Sequence, residues 1–144
     1  MSRVLFTHSY FYKLDAKQWK FKQPYPPLGS LQAAAVVQEA GFDVTFFDVG
    51  LRESPAEIER ELERCNPDYF VIYDDGFNYL TKMCLTVMRE ASFTMAKLAK
   101  SRGGVVIVCG SDSSDQYEKY LLNGVDYVVR GPQTHLQCYI STQL

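Results

Sequence analysis

The sequence predicts an α/β protein with a doubly wound, five-stranded parallel sheet. Three observations carry this. Strand-like and helix-like segments alternate through the whole chain. The runs Tyr69-Phe70-Val71-Ile72-Tyr73 and Val105-Val106-Ile107-Val108-Cys109 are apolar throughout, as strands buried on both faces must be. Glycine or proline stands where each helix should stop, at Gly41, Pro67, Gly103-Gly104 and Gly124.

Taken in order, Val4-Leu5-Phe6-Thr7 is a first strand, and residues 8–26 follow without clear periodicity. Leu28, Leu31, Ala35 and the Val36-Val37 pair mark a helix with a core-facing side, entered through the stiff segment Pro24-Tyr25-Pro26-Pro27 and ended at Gly41. Val44-Thr45-Phe46-Phe47 is a second strand. Ser54-Pro55-Ala56-Glu57 reads as a helix start: a capping serine, proline at the first helical position, and glutamate three residues after the serine. Ile58 and Leu62 then lie on its apolar face. After the third strand at 69–73, Leu80, Met83, Val87, Ala91, Met95 and Leu98 recur at helical spacing over residues 79–101. The fourth strand is 105–109. A short helix over 115–123 precedes a fifth strand at Asp126-Tyr127-Val128-Val129.

Five strands in this rhythm predict the flavodoxin-like (Rossmann-like) order 2-1-3-4-5, in which ligands bind beyond the carboxyl ends of strands 1 and 3. The last helix is expected to be missing, since residues 132–144 are short and poorly periodic. The aromatic loop, or a second copy in a homodimer, is expected to cover the face this leaves open.

Composition narrows the function classes. The chain has 144 residues, enough for one domain with a proper core, with 47% apolar and 22% charged residues. A net charge of −2 without a basic block argues against nucleic-acid binding. Cys65, Cys84, Cys109 and Cys138 form neither a CxxC pair nor a CxxxCxxC cluster motif, and read as free thiols of a cytoplasmic protein. No signal-peptide pattern or membrane-length apolar run is present, so no membrane partner is expected.

The residues directly after each strand are the candidates for function. Thr7-His8-Ser9 opens a loop holding Tyr10, Phe11, Tyr12, Trp19, Phe21 and Tyr25 with four lysines. It could close over a flat anionic ligand, or its aromatics could simply pack on the protein. Asp74-Asp75-Gly76-Phe77-Asn78 follows strand 3, Gly110-Ser111-Asp112 follows strand 4, and Arg130-Gly131 follows strand 5. Glycine there permits close backbone approach, and the hydroxyls either bind polar groups or cap helices. A phospho-receiver is improbable: strand 1 ends in Thr7-His8 instead of an acidic pair, and strand 5 ends in Arg130 instead of lysine. A flavodoxin's phosphate cradle is also absent, because His8-Ser9-Tyr10-Phe11-Tyr12 is not one.

A third reading comes from resemblance. Pro26-Pro27-Leu28-Gly29-Ser30-Leu31 through Ala40-Gly41-Phe42-Asp43-Val44 resembles the opening of the cobalamin (B12)-binding domain that precedes many radical S-adenosylmethionine enzymes. Asp74-Asp75-Gly76-Phe77-Asn78-Tyr79, the helix with Lys82-Met83-Cys84, Gly110-Ser111-Asp112, and Gly124 through Gly131 are similar to that family too. The resemblance covers about residues 3–131, leaving 132–144 as a divergent tail. It implies cobalamin as cofactor, with the corrin against the carboxyl edge of the sheet. The implied lining is Thr7, His8, Leu28, Gly29, Ser30, Tyr73, Asp74, Asp75, Phe77, Gly110, Ser111, Asp112, Arg130 and Gly131. No catalytic acid or base and no protein metal ligand is implied. His8 lacks the Asp and Gly of the DxHxxG motif through which methionine-synthase-like domains ligate cobalt, so a capping or partly buried role is expected for it and for His135. Family members continue with an acidic Gly-Glu-x-Glu stretch and a radical domain with CxxxCxxC, where this chain reads Gly131-Pro132-Gln133-Thr134-His135. S-adenosylmethionine and a [4Fe-4S] cluster are thus expected only in a missing domain of a methyltransferase- or cyclase-type parent. The alternative is a scaffold of the same shape that binds no cofactor and serves as an interaction domain, to which the Asp74-Asp75 pair gives some weight.

Overall fold

The computed structural model describes residues 1–24, 26–74 and 85–130. Tyr25, Asp75, Phe77, Cys84, Gly131, His135 and Cys138 lie outside the described residues, as does the whole predicted tail.

Five strands form one parallel sheet in the order β2-β1-β3-β4-β5, as the alternation predicts. They are β1 (Arg3–Thr7), β2 (Asp43–Phe46), β3 (Tyr69–Tyr73), β4 (Val105–Cys109) and β5 (Tyr127–Val129). Leu5 sits between Thr45 and Phe70 in register, and Val71 pairs with Ile107. The helices are α1 (Ala16–Trp19), α2 (Leu28–Glu39), α3 (Ile58–Cys65), α4 (Leu85–Ser101), α5 (Ser111–Asp115) and α6 (Tyr117–Leu121).

Alternation along each strand separates the core into two layers. Leu5, Phe70, Ile72, Val106 and Val108 face α3, α4 and α6, meeting Ile58, Leu62, Ala91, Met95 and Tyr120. Val4, Phe6, Val71, Ile107 and Val129 face the other way, onto Ala34 and Val37 of α2. Helices on both faces of a parallel sheet complete the doubly wound architecture.

Local chemistry accounts for the boundaries. Ser54 Oγ accepts the Ala56 N–H at 3.2 Å, and Pro55–Glu57 forms a 3₁₀ turn leading into α3. Glu57 closes the cap from the other side, accepting the Glu53 N–H. Asn66 ends α3 in the left-handed region, φ 40°.

Three expectations are corrected. The core stripe of α2 is Ser30, Ala34 and Val37, while Leu28 and Leu31 are 60% and 39% exposed. The helix is apolar on nearly every side, so periodicity could not choose its buried face. The predicted helix over 115–123 is instead two short ones, α5 and α6, broken at Gln116. Among the described residues, the aromatic loop does not lie on the α2 side of the sheet, where it is expected. Phe11 joins the α3–α4 side of the core, and Tyr10 and Tyr12 pack on Met88 of α4.

Candidate functional site

The first winding reverses between β1 and β3, so the crevice at their carboxyl ends is the site the fold itself creates. Thr7, fully buried, ends β1, and its hydroxyl donates to the Phe47 carbonyl at 2.7 Å. That bond ties β1 to the residue just beyond β2.

His8 and Ser9 then turn to opposite neighbours. His8, only 5% exposed, accepts the Tyr10 N–H on Nδ1 at 3.3 Å, leaving Nε2–H to donate to Asp48 Oδ1 at 2.7 Å. The bond from His8 holds the Asp48 carboxyl below its ordinary value, against the opposing effect of burial. Ser9 donates both its N–H and its hydroxyl to Asp74, each bond at 2.8 Å. Burial pushes the Asp74 carboxyl up, although these hydrogen bonds pull it the other way.

Beside β3, the Ser30 hydroxyl, inside the first turn of α2, donates to the Tyr73 carbonyl at 2.7 Å. This bond pins the entrance of α2 against the end of β3, and Pro27 sets the approach as the residue before the helix. Leu28 and Leu31, in this same first turn with Gly29 between them, are left exposed.

After β4, Gly110 packs so closely on Asp74 that a Cβ there would lie 3.0 Å from Asp74 Cβ. The Ser113 and Ser114 hydroxyls donate back to the Gly110 carbonyl at 3.2 and 2.7 Å. Ser111 is exposed. Asp112 accepts two hydrogen bonds from Arg89 of α4, Nε to Oδ2 at 2.8 Å and Nη2 to Oδ1 at 2.6 Å, and one from the Tyr120 hydroxyl at 2.8 Å. Cys109, fully buried beside Asp74, has its thiol pushed up to about 12 by burial and by that carboxylate's charge. It is no nucleophile at neutral pH. Arg130, after β5, stacks its guanidinium 4.2 Å over the Tyr117 ring.

The structure thus gathers Thr7, His8, Leu28, Gly29, Ser30, Tyr73, Asp74, Gly110, Ser111, Asp112 and Arg130 along one edge of the sheet. Leu28, Ser111 and Arg130 are exposed there, whereas Thr7, His8, Ser30, Tyr73 and Gly110 are buried beneath the surface. Asp75, Phe77 and Gly131 lie outside the described residues. Three residues that hold this edge together escaped the sequence reading, Asp48, Arg89 and Tyr120, and Ser9, named after strand 1, is absent from the implied lining. Asp48 directly follows the second strand, so the rule applied to the other strand ends would have found it. Arg89 carries no sequence signal, because an arginine inside a helix is usually a surface residue.

The aromatic loop is internally built. The Tyr10 hydroxyl donates to Asp15 Oδ2, Tyr12 OH donates to the Gln18 carbonyl, and the Tyr12 N–H reaches the Gly50 carbonyl. Tyr10, Phe11 and Tyr12 are all buried, while Phe21 remains 64% exposed. For the buried three, packing on the protein is the role the structure gives.

These features define a doubly wound α/β domain whose carboxyl edge offers apolar surface, hydroxyls and backbone and, among the described residues, no vacant imidazole. The family model for the B12 binding domain matches residues 19–138, most of the chain. The chain belongs to that family, and its ligand class is cobalamin. No curated protein matches it. Among solved structures it is similar to the one described as "Crystal Structure of TesA", at 17% identity and a TM-score of 0.41, covering 86% of this chain and 68% of that one. Among the described residues no helix is long and apolar enough to cross a membrane, and no group of three His, Cys, Asp or Glu side chains could hold a metal ion.

The residues present fit cobalamin. A corrin is a broad apolar ring fringed with amides, and the edge sets Leu28 and Leu31 beside hydroxyl and backbone groups. The His8 ring meets hydrogen-bond partners at both nitrogens, so it is not offered as an axial ligand.

Proposed function

We propose that this chain is the cobalamin-binding domain of a B12-dependent radical S-adenosylmethionine enzyme of the methyltransferase or cyclase type, and performs no radical chemistry itself. The cobalamin reading is carried by the B12 binding domain match across residues 19–138, taken with a carboxyl edge whose exposed leucines are held in place by the Ser30–Tyr73 bond. The radical parent rests on the four segments that resemble that family: 26–44, 74–84, 110–112 and 124–131.

When bound, cobalamin would supply the cobalt chemistry. The chain's own residues supply shape and position. Leu28 and Leu31 form an apolar floor, Gly29 keeps the surface low, and Ser111 and Arg130 offer polar contacts to the fringe. Thr7, His8, Ser30, Tyr73, Asp74, Gly110 and Asp112 fix the edge from beneath, with Asp75, Phe77 and Gly131 completing the proposed lining. S-adenosylmethionine and a [4Fe-4S] cluster belong to a separate domain of the parent.

The test is direct. The pure protein is mixed with hydroxocobalamin or methylcobalamin, passed through gel filtration, and scanned for corrin absorbance. Co-elution with a shifted corrin spectrum is the expected result. Complete loss of the corrin on the column, with an unshifted spectrum, would favour the alternative of a non-binding interaction domain.

A further inference from the structure

We infer that Asp74 is a positioning residue of the carboxyl-edge site, holding the loop after β1 against the turn after β4 through Ser9 and Gly110. This inference rests on the cobalamin reading above.

Asp74 stands directly after the central strand of the sheet and is bonded in both directions. Its N–H donates to the Cys109 carbonyl at 2.8 Å, carrying the β3–β4 ladder one residue past the strands. Its carboxylate turns towards β1, where the Ser9 N–H and hydroxyl both donate to it. Hydrogen bonds to a carboxylate are stronger than neutral ones and hold their geometry better.

The third attachment is steric. Asp74 Cβ fills the space that a side chain at Gly110 would take, the two sites being 3.0 Å apart. A larger residue at 110 would push Asp74 away from Ser9. The Gly110 turn is itself fixed from the far side by the hydroxyls of Ser113 and Ser114. One side chain therefore couples the loops after β1, β3 and β4, which are the loops the ligand must meet together. Asp74 acts through its neighbours and need not touch the ligand.

The experiment compares wild type, Asp74→Ala and Asp74→Asn as full chains. Hydroxocobalamin affinity is measured by spectral titration, and amide exchange is followed by mass spectrometry over residues 8–12 and 110–114. Asparagine can keep both contacts, accepting the Ser9 N–H and donating to the Ser9 hydroxyl. Asp74→Ala is expected to weaken binding about tenfold and speed exchange in both segments, whereas Asp74→Asn stays within about threefold of wild type with exchange restored. If alanine prevents folding, Ser9→Ala and Gly110→Ala take its place, since each breaks one attachment from the other side.

Wild-type binding with Asp74→Ala unchanged overturns the inference, as does unchanged exchange in either segment. If wild type itself binds no hydroxocobalamin, the cobalamin reading fails by itself. The coupling of the loops then stands or falls on the exchange data alone.

Discussion

At the scale of single residues, two carboxylates on one edge respond to pH in opposite senses. Asp48 has its folded pKa below the ordinary value because His8 donates to it. Its contribution to stability is complete above the unfolded pKa and is lost as pH falls through the folded one. Asp74 has its folded pKa raised by burial. In the window between the ordinary value of 3.8 and that raised value the native state binds the extra proton, so stability falls as pH rises through it. Urea midpoints measured upward from pH 3.8 should therefore lose the Asp74 slope in Asp74→Asn, and acid sensitivity should lessen in Asp48→Asn. Identical pH profiles for wild type and Asp74→Asn would contradict this assignment. His8 gives a second prediction. With both ring nitrogens engaged, it should contribute no nitrogen splitting to the electron paramagnetic resonance spectrum of bound cob(II)alamin. Labelling the protein's histidines with ¹⁵N should leave the spectrum unchanged, and a change in splitting that persists in His135→Ala would put His8 on the metal.

At the scale of elements, the glycines separate two kinds of constraint. Gly41, after α2, has φ +96° with nothing within 4 Å of an added Cβ, so Gly41→Ala should cost about 1 kcal/mol through backbone strain alone. Gly110 is extended, at φ 166°, and carries no such strain. Gly110→Ala should nevertheless cost about 1–3 kcal/mol, by pressing on Asp74 Cβ. Stability by chemical denaturation, with an unchanged m-value, distinguishes these outcomes from a change in the unfolded state. The join between α4 and α5 is equally specific. Arg89→Met leaves Asp112 and Tyr120 in a mostly buried pocket without their cation and should cost about 3 kcal/mol. Element type was legible wherever local chemistry decides it: the Ser54-Pro55 start of α3, the all-apolar β3 and β4, and the stop at Gly41. It was not legible over 110–123. There a run of serines and acids fits one capped helix or two, and the Arg89–Asp112–Tyr120 contacts that frame α5 and α6 come from residues distant in sequence.

At the scale of the molecule, strand order followed from alternation alone, because a parallel sheet wound from its middle has few unknotted solutions. The edge proposed for the ligand follows from strand order. What the sequence could not reveal is which side of α2 that edge presents. The helix reads LGSLQAAAVVQE, and leucine at 28 and 31 argues for a buried stripe through those positions. Ser30, Ala34 and Val37 occupy the core instead, because the Ser30 hydroxyl is claimed by the Tyr73 carbonyl and the small side chains let α2 lie close on the sheet. The larger leucines are thereby turned outward at the start of α2, which gives the stiff proline entrance its consequence: it fixes an apolar surface at the edge proposed to meet the cofactor. Leu28→Glu tests this. At 60% exposure in the free chain, Leu28 contributes little to the core, so the substitution should change stability by no more than about 0.5 kcal/mol. If a corrin covers Leu28, a charge forced into that contact loses the side chain's apolar burial, about 1.5–3 kcal/mol, and adds the desolvation of a carboxylate. Hydroxocobalamin affinity should then fall by more than tenfold at unchanged thermal stability. Equal affinity for Leu28→Glu and wild type would remove α2 from the ligand site and assign its outward leucines to a protein partner.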